Sequence, residues 1–139
     1  MKTEIWALIE SEWLTKLVAE FAEAEGLVWN LYQSVPQALS NEEPEGGLIL
    51  AIESGGKFSN YLTVIKRFRK NFFYLDVVVL GPEKSPDVIE RECEQGVDLY
   101  IATPLNSEEF FAWASHLASL LRLRRSAGIV GRTQPMKEM

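Results

Sequence analysis

Cysteine and histidine are almost absent from this sequence: Cys93 is the only cysteine and His116 the only histidine in 139 residues. One thiol excludes an internal disulfide and any zinc site built on several thiolates. One imidazole excludes a histidine-clustered metal centre, and a Ser-His-Asp triad would have to run through His116. No apolar run approaches the roughly 18 residues that a membrane span needs, and no charged, then apolar, then small-residue leader opens the chain. The expectation is a cytosolic protein with no membrane partner. Basic residues are also in deficit, 14 against 20 acidic, for a net charge of −6. Phosphate contacts need a basic surface, so direct nucleic-acid binding is not expected.

What is present is the balance of one globular domain, with 47% hydrophobic and 24% charged residues. The charge is uneven. Residues 1–60 hold ten Glu and three Lys, a net of −7, whereas 61–139 hold eleven basic and ten acidic groups, a net of +1. The run Lys66-Arg67-Phe68-Arg69-Lys70 reads as a solvated helix face rather than a contact patch.

Hydrophobic patterning alternates between two periods. Ile5 to Ile9 is an unbroken apolar run, too short for a buried helix and suited to a strand covered on both faces. Ser11 is a candidate N-cap, Leu14, Leu17, Val18, Phe21 and Ala22 recur at helical steps, and Gly26 is a helix stop. Leu27 to Tyr32 reads as a second strand, and Ser34 and Pro36 open a short second helix through Leu39, followed by a polar loop over 41–47. Leu48 to Ile52 is the third strand. Ser59 or Asn60 caps a third helix with its apolar face at Tyr61, Leu62, Val64, Ile65 and Phe68. Val77 to Leu80 is the fourth strand. Pro86 sits in the first turn of a fourth helix that turns Val88, Ile89 and Cys93 inward and ends at Gly96. Leu99 to Ala102 is the fifth strand, and Phe110, Phe111, Trp113, Ala114, Leu117, Leu120 and Leu121 mark an amphipathic last helix.

Five strands alternating with five helices predict an α/β fold: a doubly wound, five-stranded parallel sheet with helices on both faces. Such sheets place their functional site at the carboxyl ends of the strands. The residues to inspect are therefore Glu10, Ser11, Ile52, Glu53, Gly81 and Thr103.

The segment Gly96-Val97-Asp98-Leu99-Tyr100-Ile101-Ala102-Thr103-Pro104-Leu105, followed by Glu108-Glu109-Phe110, resembles the end of a bacterial response-regulator receiver domain. That family reads Gly-Ala, then a Tyr, two hydrophobic residues and Lys-Pro-Phe before an acidic-capped last helix. The other four strand-helix units fall in register over residues 4–124, and the resemblance makes 1–124 the receiver-like regulatory domain, with the flavodoxin-like strand order 2-1-3-4-5. Tyr100 stands where the family keeps its rotating switch aromatic. Pro104 stands where the family holds a cis bond, so a cis proline is expected.

The resemblance fails at the family's reactive residues. Receivers carry two acids after the first strand for Mg²⁺, an Asp ending the third to accept phosphate, Ser or Thr ending the fourth, and Lys before the proline. Here the acid pair reads Glu10-Ser11, or Ile9-Glu10 if the register shifts by one; the acceptor position falls on Ile52 with Glu53 beside it; Gly81 replaces the hydroxyl and Thr103 the lysine. Without Asp there is no usual nucleophile for an acyl phosphate, and one Glu plus one Ser is a thin supply for octahedral Mg²⁺. No cofactor is expected, and no metal beyond weak attraction of Mg²⁺ to Glu10.

The second resemblance lies in Gly128-Ile129-Val130-Gly131-Arg132-Thr133-Gln134-Pro135-Met136, which is similar to the opening of the AAA+ domain of sigma-54-dependent activators of the nitrogen-regulator type. It makes 125–139 a linker and the start of such a domain. Together the two resemblances imply a non-enzymatic pseudo-receiver in a bacterial transcription regulator. It would act as a homodimer through the fourth helix, fifth strand and fifth helix, including Tyr100, Phe111 and Ser115. It would control the AAA+ domain of the same chain and answer to a protein or small-molecule effector.

Other signals are weighed against plainer readings. Gly55-Gly56-Lys57 lacks the glycine and the Ser/Thr of a phosphate loop, Ala51 and Phe58 standing there, and reads as a flexible turn. Cys93 reads as a small buried apolar group and His116 as a partly exposed structural residue. Trp6, Trp29 and Trp113 fit core positions, and Trp13 fits the rim of the site. Two rival functions stand: a phosphoryl-accepting receiver using Glu53 or Ser54 with Mg²⁺ at Glu10 and Glu12, and a flavodoxin-like small-ligand binder using the loops after strands one and three.

Overall fold

The computed structural model of the chain describes residues 3–103 together with Glu108, Glu109, Ala112, Ser115 and His116. The expected cis Pro104, Phe111, the apolar run of the last helix and the linker over 125–139 lie outside the described residues. The elements are β1 (Glu4–Leu8), α1 (Glu12–Glu25), β2 (Val28–Leu31), α2 (Val35–Leu39), β3 (Leu48–Glu53), α3 (Tyr61–Asn71), β4 (Leu75–Gly81), α4 (Pro86–Glu94) and β5 (Leu99–Ala102), with a single 3₁₀ turn at Gly56–Phe58. Among the described residues all strand pairs are parallel, as the alternation of periods predicts, and the order is β2-β1-β3-β4-β5, as the receiver resemblance implies.

Strand alternation divides the core. Trp6, Leu8, Leu48, Leu50, Ile52, Leu75, Val77 and Val79 face Tyr61, Val64, Ile65 and Phe68 of α3 in one cluster. Ile5, Ala7, Ile49, Ala51 and Val78 occupy the alternate strand positions and are equally buried. On α1, Leu14, Val18, Phe21 and Ala22 are buried, and the helix packs on β1 and β2. Trp6 anchors the first cluster with edge-on contacts to Tyr32 and Phe72, centroids 5.5 and 5.2 Å away. Burying each large side chain of this kind contributes about 1.5–3 kcal/mol.

Local signals set the ends of the elements. Gly26 stops α1 with φ of 68°, a left-handed cap that a side chain would strain. Ser34 and Ser85 accept from Gln37 N and Val88 N, each followed by proline in the first turn. Ser11 precedes α1 without a side-chain cap bond, because its hydroxyl is committed elsewhere.

Two side-chain placements differ from the sequence expectation. Cys93 is exposed, and Glu92 is the residue of α4 that turns inward, 6% exposed. A lysine ammonium brought in from the preceding loop supplies the partner that makes burying this carboxylate feasible. Trp29 is half-buried rather than core, since β2 is an edge strand. Trp13 is 41% exposed, as expected.

Candidate functional site

The carboxyl ends of β1, β3, β4 and β5 and their following loops form the candidate site. Parallel pairing places Leu8 beside Ile52, Ile52 beside Val79, and Gly81 beside Ala102, so the loops after these strands emerge at one end of the sheet. Ile9 is 5% exposed and belongs to the core, and Glu10 and Ser11 lie in the loop after β1. Ile52 is fully buried in the α3-side cluster, and pleating sends the next side chain, Glu53, to the strand end.

Glu53 reaches across to the β1–α1 loop. Its Oε1 accepts from the backbone N–H of Glu10 at 2.8 Å and of Ser11 at 2.9 Å, and its Oε2 accepts from the Ser11 hydroxyl at 2.5 Å. Glu10 reaches the other way, its Oε1 accepting from Lys57 N at 3.3 Å. Gly56 allows this approach, because a Cβ there would run into that same carboxylate oxygen, and its φ is 54°. Lys57 turns its ammonium away to Gln33, donating to the backbone carbonyl at 3.1 Å. Thus each acid braces the loop after the other's strand.

The Mg²⁺ that receivers hold does not fit these residues. Both oxygens of Glu53 are already engaged, Glu10 is exposed and turned to a backbone amide, and no group of three or more metal-ligating side chains occurs among the described residues. Octahedral coordination by hard oxygens would require dismantling the brace.

Gly81 is buried at the end of β4, and the space beside it is filled by two hydroxyls. A Cβ added to Gly81 would collide with the Ser54 hydroxyl and lie 2.8 Å from that of Tyr100. Tyr100 donates to the Pro82 carbonyl at 2.5 Å and is hydrogen-bonded by Ser54. Burial raises the Tyr100 pKa above its ordinary value, against the opposing pull of Lys84. Thr103 is half-buried at the strand end, its N–H bonded to the Gly81 carbonyl at 2.7 Å, and supplies no cation. Ser115 and His116 are exposed.

The cation of this region comes from the β4–α4 loop. Lys84 Nζ donates to the Tyr61 hydroxyl at 2.5 Å and to Glu92 Oε2 at 2.7 Å, and stands 5.0 and 5.3 Å from the ring centroids of Tyr61 and Tyr100. Burial works against the ammonium, but the bonds to Glu92 and Tyr61 outweigh it and raise the Lys84 pKa. Burial likewise raises the Tyr61 phenol, with the Lys84 bond opposing. Glu92 Oε1 is buried without a hydrogen-bond partner among the described residues. Sequence reasoning did not find this cluster. The signal was there: Glu92 lies four residues after Val88 and three after Ile89, in the phase of the inward face. Cys93 is exposed, and partial desolvation of its thiol, followed by Asp98, Glu92 and Glu90, pushes its pKa up.

No protein-family model and no curated protein matches the chain. Solved structures do. A response regulator from Thermotoga maritima superposes with a TM-score of 0.71 at 17% identity, over 88% of this chain and 99% of that one. NtrX from Brucella abortus, solved with ADP, gives 0.67 at 15% identity over 91% of this chain and 28% of that one. An orphan response regulator of H. pylori gives 0.61 at 15% identity, over 86% and 96%. The fold is that of response-regulator receiver domains.

Proposed function

We propose that this chain is a pseudo-receiver: a regulatory domain with the receiver fold whose output does not pass through aspartyl phosphorylation and which performs no catalytic step of its own. The observation that carries the reading is the Glu53 brace. At the strand end where a receiver presents a free aspartate, this chain presents a longer carboxylate whose two oxygens accept three hydrogen bonds from the β1–α1 loop. A carboxylate so engaged is a weak nucleophile. The three donors that face it, the N–H groups of Glu10 and Ser11 and the Ser11 hydroxyl, are taken up by the carboxylate itself.

Regulation without phosphate requires a partner with different affinity for two arrangements. The proposed route is protein contact through α4, β5 and the segment that follows, as a homodimer that sets the assembly of an AAA+ domain continuing the same chain. The effector is a protein or small molecule, and the setting is the cytoplasm of a bacterium with a sigma-54-type regulator. Support comes from the likeness of 128–136 to the start of that ATPase domain and from the fold shared with NtrX. No helix among the described residues is long and apolar enough to cross a membrane.

The test is an amide NMR titration with Mg²⁺ and beryllofluoride. Unmoved resonances at Glu10, Ser11, Glu53, Gly81 and Thr103 are the expected result. Saturable shifts there would make the chain a live receiver with an atypical acceptor.

A further inference from the structure

The amino end of β4, opposite the Glu53 brace, carries the most exposed large apolar side chain described: Phe73, 68% exposed. It is held rather than loose. Its ring meets the Tyr74 ring edge-on at 4.6 Å and 76°. Its backbone N–H is accepted by both Glu43 oxygens at 2.9 Å, and Glu43 also accepts from Tyr74 N. Glu43 is thereby spent inward and pins the acidic loop beside Phe73, leaving Glu42 and Glu45 exposed. On α3, which leads into Phe73, the basic run divides. Arg69 is drawn in to Leu75 O, Gly96 O and Asp98, whereas Lys66, Arg67 and Lys70 form an exposed stripe with no ion pair among the described residues.

An acidic loop, an ordered aromatic and a basic stripe in one patch are self-complementary. The geometry points to a second copy of this chain as the occupant, docked about a twofold axis near Phe73. In such an isologous contact each residue pair occurs twice. Glu42 and Glu45 of one copy face Arg67 and Lys70 of the other, and the two Phe73 rings bury each other. An exposed apolar side chain held in place, with acidic and basic side chains in the segments that flank it, matches an interface centre with a polar rim. The residues it uses are neither those of the strand-end site nor residues of α4 or β5, so it stands whether or not the pseudo-receiver reading does.

The test is sedimentation of the full chain, wild type against three variants: Phe73→Ser, Arg67→Glu/Lys70→Glu and Glu42→Lys/Glu45→Lys, with circular dichroism verifying that each is folded. Wild type should dimerise at low ionic strength and dissociate in about 1 M salt, where the screening length falls to about 3 Å. Each variant alone should lose at least about tenfold in dimer affinity. An equimolar mixture of the two charge-reversed variants should recover the dimer, because the reversed loop of one then meets the reversed stripe of the other. A monomeric wild type, a dimer indifferent to all three variants, or a mixture that stays monomeric overturns the proposal.

Discussion

Glu53 and Ser11 lie 42 positions apart in sequence and are joined by two hydrogen bonds that Glu53 accepts, one from the Ser11 N–H and one from its hydroxyl. That link ties the end of β3 to the loop before α1. A carboxylate built into the chain fixes such loops, where a bridging cation would let them respond to charge. On the pseudo-receiver reading proposed above, Glu53 is then more than a missing acceptor, because the same side chain supports the two loops.

The brace predicts a graded loss of stability. Glu53→Ala removes the acceptor for two amides and a hydroxyl at a half-buried site and should cost about 1–3 kcal/mol in chemical denaturation. Glu53→Gln keeps one carbonyl acceptor and should cost less. Glu53→Asp withdraws the carboxylate by one methylene, so it should resemble the Ala variant and fail to bind beryllofluoride. Wild-type stability in all three variants would show that the hydrogen bonds contribute nothing.

Gly81 predicts a coupling. In Gly81→Ala the new methyl meets the Ser54 hydroxyl first and the Tyr100 hydroxyl next. Overpacking of this kind costs about 1–3 kcal/mol. Adding Ser54→Gly removes the nearest obstacle and should recover part of that loss. A double-mutant cycle on thermal or denaturant midpoints checks it, and strict additivity would place the strain elsewhere.

The fold was legible because each strand is a short apolar run and each helix carries its cap or stop. Ser34-Val35-Pro36, Ser85-Pro86 and Gly26 mark boundaries by local chemistry alone. The ends of the strands were legible to within one residue. Ile52 and Glu53 are neighbours, and a one-residue shift in a pleated strand exchanges a core position for a site position. The burial of Glu92 is not legible from charge and hydropathy alone, because it depends on Lys84, eight residues earlier in a loop that no periodicity describes. The reciprocal reach of Glu10 and Glu53 is tertiary, set by the pairing of β1 with β3, and no spacing in the sequence encodes it.

The Lys84–Glu92 pair predicts a contrast between single and double replacement. Lys84→Met leaves a 6%-exposed carboxylate without its cation. Losing one member of such a pair costs about 3–5 kcal/mol when fully buried, and about 2–4 here because the Lys84 side chain is 24% exposed. Lys84→Met with Glu92→Leu removes both charges and also the unpartnered Oε1. The double variant should be more stable than the single one in urea denaturation. A double variant weaker than Lys84→Met would mean that Glu92 is held by something other than the ammonium.

The same cluster sets the alkaline limit of the fold. Lys84, with an ordinary pKa of 10.5, and Tyr61 and Tyr100, with 10.0, are all raised in the native state. A raised group binds its proton more tightly when folded, so its contribution is complete below the unfolded pKa and is lost as pH climbs through the folded one. For all three groups the sign is the same. Their contribution should be constant through neutral pH and decline once pH passes about 10, where the unfolded chain releases protons that the native cluster retains. Denaturation midpoints taken against pH, with tyrosinate absorbance recorded in parallel, read this directly. The wild type should show part of its tyrosine absorbance rising late, together with unfolding. In Lys84→Met/Glu92→Leu the alkaline decline should become shallower, because the lysine proton no longer contributes. A wild-type midpoint that stays level well above pH 10.5, or a decline unchanged in the double variant, would remove the cluster as its cause.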